Sequence, residues 1–554
     1  MKKIISAAAR INMAAFTKKA NLNQNDAFIS SFTGRYSSAE SSYIGRGDFS
    51  MNKKNIWGLY GGFTSYHFND LKAGSGVLPE TGYSQFAGDL RYDLELTKKS
   101  HITLATQSMR QEDVPRTHKT VNAISYQGSS IGTEIQRNYD QRRDLSYLKY
   151  TFENAVITLS RQDHIENRDR IRVGDNRDLQ GFNVRDIGLS ARFKKNWSET
   201  HNLAYGIEIH RQHAGSYSTA GTIANPFNSI GIQGPIADDA SYDSNEVYIQ
   251  DTWAISDASD LISGIRFSKF KLNANRVEDP NTGTAFAIKD SWQAITGALR
   301  HNHYINNFQT IYSGISQGFR APNLSDLTSD LEDSVSEIPT PNLSPERFLQ
   351  LEFGTKNRKR IFTYDIALYH TFINDMIVRS PTGNTLPSGT PEVAKSNVGD
   401  GFIQGFELEL EYAIDPQLKL FALSSLQNGK VNQYANAEDS GSLSREPTDR
   451  LMPASLTIGL RWQSVINSLF GEVWAWSMGD ADKLSFRDRT DTQRIPPGGT
   501  PAFTVFGISG GVKINKNATW TIAIENLTNK NYRVHGSGVN SPGFNVITTY
   551  TVSF

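Results

Sequence analysis

Apolar and polar side chains alternate strictly along many segments of this 554-residue chain. Successive side chains of a β-strand point to opposite faces, so a period of two indicates strands with one apolar and one polar face. In the segment 406–412, four apolar residues alternate with Glu407, Glu409 and Glu411. Three carboxylates on one face are hard to bury between packed sheets but are well solvated in a water-filled lumen. The alternation therefore predicts a β-barrel with an apolar outer face and a wet inner face.

Composition excludes several other classes of protein. The chain has 57 basic and 57 acidic side chains, so a formal net charge of zero argues against a surface for nucleic acid. It has no cysteine, which excludes disulfides and thiolate metal sites or catalysis. The sequence has no run of about 18 apolar residues, so no transmembrane helix is predicted. The mean hydropathy of -0.46 is compatible with a membrane barrel, because only alternate residues of each strand meet lipid.

The connections between the predicted strands alternate between short and long. Short polar turns occur, for example, at 53–55, 97–100 and 257–260, and long polar stretches such as 164–181 and 321–345 separate them. This pattern is typical of barrels with tight periplasmic turns and extended outer loops. We therefore predict an all-β fold, a transmembrane antiparallel up-and-down β-barrel of about 22 strands with short periplasmic turns and long extracellular loops. We expect it to occupy residues 24–554.

Four motifs lie at predicted edges of strands or loops. They are Gly318-Phe319-Arg320-Ala321-Pro322-Asn323-Leu324, Pro341-Asn342-Leu343-Ser344-Pro345-Glu346, Ser396-Asn397-Val398-Gly399 before Gly405-Phe406-Glu407-Leu408-Glu409, and Glu525-Asn526-Leu527-Thr528-Asn529-Lys530-Asn531-Tyr532. In this order they resemble the TonB-dependent outer-membrane receptor family over about residues 26 to 554. The terminal Phe554 also resembles the closing strand of bacterial outer-membrane barrels.

The resemblance implies a location in the bacterial outer membrane and active uptake of a scarce, bulky nutrient. The cargo would be an iron–siderophore or a similar metal chelate, with haem or cobalamin as alternatives. In this family the TonB complex supplies energy by acting on a plug domain, and we recognise neither that plug nor a TonB box in the sequence. Residues 1–23 are predicted to be an N-terminal segment and the tail of a plug, and the apolar run 4–9 is too short for a signal peptide.

Alternative functions follow from the same barrel. Without a plug, the chain would be a passive porin-like channel, and TonB would be a partner only if a plug is supplied. We expect a monomer surrounded by outer-membrane lipid, with no cofactor and no nucleic-acid partner. An outer-membrane phospholipase would need a Ser/His constellation on the lipid face, which we do not find in the sequence, so no catalytic residue is predicted.

The motif positions predicted to lie near cargo at the outer loop are Phe319, Arg320, Pro322, Asn342 and Glu346. Pro322 cannot donate a hydrogen bond to a neighbouring strand, so it is expected to end a strand and begin the loop. Arg320 is expected to pair with a carboxylate or with loop carbonyls, and Glu346 to anchor the loop. Residues 321–345 contain no histidine, which disfavours haem as cargo, although His213 and His535 lie near other loops.

Three further motifs have simpler explanations. Gly507-Ile508-Ser509-Gly510-Gly511 matches a hydrolase nucleophile elbow, but that motif needs a strand-to-helix turn and this segment is predicted to be a strand. The histidine pairs 210/213 and 301/303 lack a third metal ligand, so no metal site is predicted. Arg46-Gly47-Asp48 is predicted to lie within a strand.

Overall fold

The computed structural model describes residues 27–328, 335–385, 389–436, 443–465 and 468–554. Within these ranges, 25 strands form one hydrogen-bonded sheet. Three of them are short strands that pair with the ends of longer strands: Ser229–Ile230, Ser336–Glu337 and Leu443–Pro447. The other 22 strands form the wall. The wall strands are β1 (Ala27–Ser37), β2 (Ser42–Lys53), β3 (Trp57–Phe68), β4 (Tyr83–Thr97), β5 (Ser100–Pro115), β6 (Glu134–Phe152), β7 (Ala155–Arg172), β8 (Asn176–Asn196), β9 (His201–Gly221), β10 (Asp238–Ser256), β11 (Ser259–Asp279), β12 (Thr284–Tyr304), β13 (Gln309–Arg320), β14 (Glu346–Lys359), β15 (Phe362–Thr385), β16 (Pro391–Ala413), β17 (Leu418–Tyr434), β18 (Ser455–Gln463), β19 (Leu469–Met478), β20 (Phe503–Lys513), β21 (Ala518–Glu525) and β22 (Asn545–Ser553).

The wall closes because its first and last strands pair. β1 is antiparallel to β2 on one side and to β22 on the other, in a register that runs from Ser31 opposite Ser553 to Ser37 opposite Ile547. The hydroxyls of Thr33 and Thr551 lie 3.0 Å apart across this seam. Every other wall strand pairs with its neighbours in the chain. The predicted up-and-down barrel of about 22 strands is therefore confirmed.

The two faces of the wall differ in chemistry as the alternation predicted. Outward residues form an apolar belt in which large side chains remain exposed, such as Ile295 at 66% and Phe353 at 52%. On the inner face, charged side chains pair across strands. Lys419 Nζ donates to Glu411 at 2.6 Å, and Arg461 Nη1 donates to the same carboxylate at 3.4 Å. The glutamates of β16 therefore belong to a polar inner wall.

The connections at one end of the barrel, the short-turn end, have two to five residues each. They lie at 54–56, 98–99, 153–154, 197–200, 257–258, 305–308, 360–361, 414–417, 464–468 and 514–517. Asn and Asp side chains stabilise several of these turns. In the turn at 414–417, for example, Asp415 Oδ1 accepts from the backbone N–H groups of Gln417 at 2.7 Å and Leu418 at 2.9 Å. The predicted short turns are confirmed.

The opposite end, the long-loop end, carries the extended connections, of which 69–82, 116–133, 321–345, 479–502 and 526–544 are examples. The expectation that 164–181 is a long loop was wrong. β7 and β8 continue through it as a paired ribbon, with Asn176 opposite Arg172 and a turn at 173–175. A ribbon that extends beyond the apolar belt needs no apolar face, because its polar side chains can pair with each other. Arg170 Nε donates to Asp178 Oδ2 at 2.9 Å within it.

Helical structure within the described ranges is short and lies in the long loops. It consists of the α-helices Leu324–Leu327 and Phe486–Thr490 and the 3-10 helix Thr117–Lys119. Both α-helices begin with a capping box, at Asn323 and Ser485. In the sequence, the helical spacing of Leu324, Leu327 and Leu331 predicts a short loop helix; this helix is present at the first two positions, and the third lies outside the described residues. A hairpin of Leu71–Ala73 and Gly76–Leu78 lies in the loop 69–82. No helix among the described residues is long and apolar enough to cross a membrane.

Candidate functional site

A group of ion-paired residues, Arg320, Asp326 and Glu346, joins the two ends of the loop 321–345, and we call it the clasp. Arg320 ends β13 and Glu346 begins β14, and the two residues are directly opposite in the register. The Arg320 guanidinium donates to both carboxylate oxygens of Glu346, at 2.5 and 2.6 Å, and to Asp326 Oδ2 at 2.6 Å. Asp326 also accepts from the Asn323 N–H at 2.9 Å, which caps the helix Leu324–Leu327. The expectation that Arg320 pairs with a carboxylate is confirmed.

The other predicted site residues surround this clasp. Phe319 packs on Phe270 with ring centroids 5.8 Å apart, beside a buried apolar cluster that includes Leu327 and Leu343. Pro322 lies two residues beyond the end of β13 and is buried. Asn342 is exposed and has a φ of 67°, a left-handed conformation that asparagine tolerates better than most residues. The structure therefore brings the predicted residues together around the base of one loop.

The third motif binds the same loop from the next hairpin. Asn397 on β16 accepts from the Ser344 N–H at 2.8 Å and donates to the Ser344 carbonyl at 2.7 Å and to the Asp375 carbonyl at 2.8 Å. Trp292 Nε1 on β12 donates to the Leu343 carbonyl at 2.8 Å. Two strands, β12 and β16, therefore hold the second half of this loop through its backbone.

Other loops from both sides of the barrel seam meet in a second assembly. The Ser130 N–H in the loop 116–133 donates to the Thr492 carbonyl in the loop 479–502, at 2.8 Å. The Gly543 N–H donates to the Lys72 carbonyl at 3.0 Å, which joins the loop 526–544 to the loop 69–82. Asn526, at a φ of 50°, holds the loop 526–544 together through bonds to the carbonyls of Lys530 and Pro542, at 2.8 and 2.9 Å. The fourth sequence motif thus has a structural role at this loop.

Basic residues are in excess where these loops meet. We call the following residues the loop cluster: Arg116, His118, Arg450, Asp488, Asp491, Arg494, Arg533 and His535. Arg450 forms ion pairs with both aspartates, with Nη1 3.3 Å from Asp488 Oδ1 and Nη2 bonded to Asp491. Arg494 Nε lies 3.2 Å from Asp491 Oδ2, so Arg450 and Arg494 share one carboxylate. Four arginines against two aspartates give the loop cluster a formal charge of about +2 when the histidines are neutral.

Arg533 has an unusual environment within the loop cluster. It is 2% exposed, its Nε donates to Asn540 Oδ1 at 3.0 Å, and its guanidinium lies 4.9 Å from the ring centroid of Tyr126. Among the described residues no carboxylate pairs with it. Burial lowers the pKa of Arg533 to about 10, because the oxygens that accept its hydrogen bonds are neutral ones of Asn540, Gln493 and Arg494 rather than carboxylates.

The two histidines of the loop cluster are held neutral. Burial, and next to it the positive charge of Arg494, lowers the pKa of His118 to about 3. Burial also lowers the pKa of His535, whose Nδ1 lies 2.9 Å from the Thr500 hydroxyl. An anion bound at the loop cluster would therefore reduce electrostatic repulsion that the protein itself leaves in place.

The remaining sequence motifs lie in the wall. The Gly507–Gly511 segment lies inside β20, and Arg46-Gly47-Asp48 lies inside β2, where Arg46 Nη2 donates to Asp89 on the inner face at 2.9 Å. His213 is opposite Arg185 in the register, on the outer face of the barrel rather than the lumen. Within the described ranges, no group of three or more His, Cys, Asp or Glu side chains is arranged to hold a metal ion.

Comparison with known proteins agrees with this architecture. The family model for the TonB dependent receptor-like beta-barrel matches residues 13–527. This chain belongs to the TonB-dependent receptor family. The receptor therefore lies in the outer membrane of a Gram-negative bacterium, with its short-turn end in the periplasm and its long-loop end outside the cell. The family and the fold are those of receptors and transporters.

Individual relatives of this TonB-dependent receptor differ in what they carry. It is 26% identical over 284 residues to the vitamin B12 transporter BtuB of Vibrio vulnificus (strain YJ016), a match covering 49% of this chain and 38% of the relative. It is 22% identical over 300 residues to the probable TonB-dependent siderophore receptor PiuA of Acinetobacter baumannii, covering 53% and 38% respectively. The matched region thus spans less than half the length of either relative. The structure of the copper transporter OprC superposes with a TM-score of 0.78 at 15% identity, over 97% of this chain and 81% of that one.

Sequence reasoning did not find the loop cluster of this receptor. Its members come from positions 116 to 535 and lie in four different connections. The available signal was the presence of arginine in polar loops, at Arg116, Arg494 and Arg533. That signal is common in exposed loops and does not show which loops meet.

Proposed function

We propose that this receptor imports a negatively charged metal chelate, an iron–siderophore or a chelate of similar chemistry, with energy from the TonB complex. The observation that carries the proposal is the excess of arginine in the loop cluster. Carboxylate and catecholate oxygens are strong hydrogen-bond acceptors, and guanidinium groups bind such oxygens in a planar, charge-assisted arrangement. A chelate with several such oxygens exposed would supply negative charge to Arg116 and Arg533, which have no carboxylate partner among the described residues, and to Arg494, which shares Asp491 with Arg450.

The surroundings of Arg116 and Arg494 support them as the first contacts with such a cargo. Arg116 is exposed, and its guanidinium lies 5.1 Å from the Tyr139 ring centroid rather than on a carboxylate. Arg494 keeps 37% of its side-chain surface accessible and competes with Arg450 for Asp491. Both arginines can therefore bind an incoming anion without breaking an ion pair to a carboxylate that has no other partner. Arg533 is buried and would act on the anion through its charge.

The proposal includes several parts that belong together. The transported species is cargo rather than a resident cofactor, and the protein has no catalytic activity and no nucleic-acid partner. It acts as a monomer surrounded by outer-membrane lipid. A plug domain, supplied as part of a longer chain or separately, connects it to the TonB complex.

A binding titration tests the cargo class. The receptor, in detergent and assembled with its plug, is titrated with an anionic ferric tricatecholate and with a neutral ferric trihydroxamate while intrinsic fluorescence is recorded. We expect tighter binding of the anionic chelate and a loss of about 10- to 100-fold in its affinity for each of Arg116→Gln and Arg494→Gln. Arg358→Gln, an exposed arginine at the short-turn end, is the matched control and should bind as the parent does. Equal affinity of all three variants for the anionic chelate would contradict the assignment.

Uptake in cells tests the energy coupling. Iron-limited cells that depend on this receptor should accumulate the radiolabelled chelate and should stop when an uncoupler collapses the proton-motive force. Accumulation that continues at the same rate with the uncoupler, together with large open-channel conductance in a planar bilayer, would support the passive porin-like channel instead. Tight binding of cyanocobalamin but of neither chelate would support the cobalamin alternative, which the relationship to BtuB favours over haem.

A further inference from the structure

The inward arginine of β1, Arg35, has no carboxylate partner on the inner wall. Phe28 and Phe32 face outward on this strand and are 63% and 49% exposed, so the alternation turns Arg35 toward the lumen. Several other inward arginines are ion-paired, as Arg91 Nε is with Asp93 Oδ2 at 2.8 Å. Among the described residues, no carboxylate lies within ion-pair distance of the Arg35 guanidinium and no oxygen accepts a hydrogen bond from it. Its positive charge is therefore open to an anion in the lumen.

Neither neighbouring strand offers a carboxylate to Arg35. β22, which places Thr549 opposite Arg35, contains no acidic residue. The one acidic residue of β2 is Asp48, whose Oδ2 lies 3.6 Å from Arg46 Nε. Arg46 also donates to Asp89 at 2.9 Å, so these three side chains form an ion-paired group of their own. The lack of a partner for Arg35 therefore follows from the composition of both flanking strands.

Hydroxyl side chains cover the inner wall between Arg35 and the short-turn end. On β21, β22 and β1, every inward residue from the level of Arg35 down is serine or threonine, apart from Ile29 near the start of β1. We call this set the hydroxyl wall, and its members are Thr519, Thr521, Thr549, Thr551, Ser553, Ser31 and Thr33. Elsewhere the inner wall carries ion pairs, such as Lys356 with Asp365 at 2.8 Å. The hydroxyl wall thus offers hydrogen-bond donors beside Arg35 without a charge that competes for an anion.

Arg35 lies below the loop cluster on the same side of the barrel. β22 begins at Asn545, directly after the loop 526–544 that carries Arg533. Thr549, opposite Arg35, lies four residues further along β22. With a rise of about 3.4 Å per residue and a tilt of about 40°, four residues descend roughly 10 Å along the membrane normal. Arg35 is therefore the first cation that an anion meets along β22 and β1 after it leaves the loop cluster.

We propose that Arg35, with the hydroxyls of Thr33 and Thr549, forms a second binding site for the anionic chelate, inside the lumen. This site rests on the proposed function and adds a step between the loop cluster and the periplasm. Carboxylate and catecholate oxygens accept hydrogen bonds from guanidinium groups and from hydroxyls alike. A path across a membrane needs sites that bind strongly enough to be entered and weakly enough to be left. One arginine among neutral donors meets this condition better than the several arginines of the loop cluster.

A carboxylate of the plug is the other anion that can reach Arg35. Such an ion pair needs only the guanidinium, and it gives no reason for hydroxyls along three adjacent strands. A ligand with many oxygens that moves along the wall uses both features. The hydroxyl wall therefore favours cargo as the partner of Arg35.

Uptake by variants of Arg35 tests this site. Iron-limited cells that depend on the receptor are given a saturating radiolabelled ferric tricatecholate, and its affinity for the purified receptor with its plug is measured by fluorescence. We expect Arg35→Gln to keep the affinity of the parent, which the loop cluster sets, and to lose about 10-fold in uptake rate. Arg35→Lys keeps the charge and should recover part of that rate. Arg192→Gln is the matched control, because Arg192 is an inward, exposed arginine of β8 with no carboxylate of the described residues within ion-pair distance.

A second measurement starts from the folded receptor, so a folding defect cannot imitate its result. The chain has no cysteine, so Thr549→Cys and Thr252→Cys each introduce a single thiol. Thr252 is inward and four residues from the short-turn end of β10, as Thr549 is on β22, but it lies nearly opposite in the wall. Each thiol is modified with an anionic or a neutral alkylthiosulfonate, and modification is confirmed by mass spectrometry. The anionic adduct at position 549 should slow uptake about 10-fold, whereas the neutral adduct there and both adducts at position 252 should not.

Several results would overturn the assignment of Arg35. Uptake by Arg35→Gln at the rate of the parent would do so and leave the proposed function intact, and so would an equal loss in Arg192→Gln. Slower uptake together with a channel conductance that the parent lacks, measured in a planar bilayer, would show that Arg35 holds the plug rather than cargo. A parent that neither binds nor imports the anionic chelate would refute the proposed function and the second site with it.

Discussion

The clasp of Arg320, Glu346 and Asp326 should be a principal support of the loop 321–345, and Arg320→Met tests this. The substitution keeps most of the side-chain volume and removes the guanidinium. Glu346 is 5% exposed, and its one remaining hydrogen-bond donor among the described residues would be the Ile377 N–H, at 3.0 Å. Breaking a buried ion pair by removing one partner costs about 3–5 kcal/mol, because the remaining charge stays buried without compensation. We expect the loop to lose stability by an amount of that order.

The structure supplies both a reporter and a control for this experiment. Trp292 is 7% exposed and donates to the Leu343 carbonyl, so release of the loop should shift its fluorescence to longer wavelength. The wavelength shift is followed during urea titration of the barrel in detergent, with Trp292→Phe used to identify its contribution. Arg358→Met is the matched control, because Arg358 is exposed and lies 3.6 Å from Asp365, a pair expected to contribute less than about 1 kcal/mol.

A double substitution separates two contributions to the lost stability: the cost of leaving the Glu346 charge buried alone, and the loss of the Arg320–Glu346 contact itself. Arg320→Met with Glu346→Gln should recover part of the lost stability, since a neutral amide no longer carries an uncompensated charge. If Arg320→Met destabilises the loop no more than Arg358→Met, the clasp is not a principal support of the loop. If the loop stays closed while cargo affinity collapses, Arg320 contacts cargo instead. That outcome would favour the ligand-binding interpretation of the motif over the structural one.

Two further predictions concern the loops. His118 has a pKa of about 3 in the folded loop and about 6.5 when unfolded, so the unfolded state binds more protons between these values. The loop 116–133 should therefore be fully stable above pH 6.5 and lose about 2 kcal/mol of stability by pH 5. Hydrogen exchange of its peptides at both pH values measures this loss. His118→Gln should remove most of the pH dependence. Asn397→Ala should loosen the link between β16 and the loop 321–345 by about 1–3 kcal/mol, because the carbonyls of Ser344 and Asp375 each lose a hydrogen bond that contributes about 0.5–1.5 kcal/mol. Faster exchange of the Ser344 amide, compared with Asn154→Ala as an exposed control at the short-turn end, would support this, and an unchanged rate would contradict it.

The wall could be predicted from sequence because its signals are local. The alternation in 406–412 depends on neighbouring side chains alone, and the turn at 414–417 is fixed by Asp415 and its own backbone. The ends of the strands were less predictable. The segment 164–181 is polar on both faces, which is equally typical of a loop and of a paired ribbon above the membrane. Pairing of Arg170 with Asp178 decides between them only in three dimensions.

The candidate site was predictable only in part for the same reason. Arg320 and Glu346 are ends of consecutive wall strands, so the fold itself brings them together and the motif could be interpreted. Arg116 and Arg494 are separated by most of the chain and meet because their loops fold toward each other across the seam. Nothing in the local sequence of either loop specifies that meeting.

The seam between β1 and β22 also affects how the protein acquires its structure. Thr33 and Thr551 make their contact across 518 positions of sequence, among the largest separations the chain offers. Contacts of such separation are entropically costly to form and slow folding. Until they form, the backbone groups of two strands at opposite ends of the sheet remain unpaired and able to join a strand of another molecule. Biogenesis of this barrel therefore depends on keeping both edges protected from other chains until the last strand is in place.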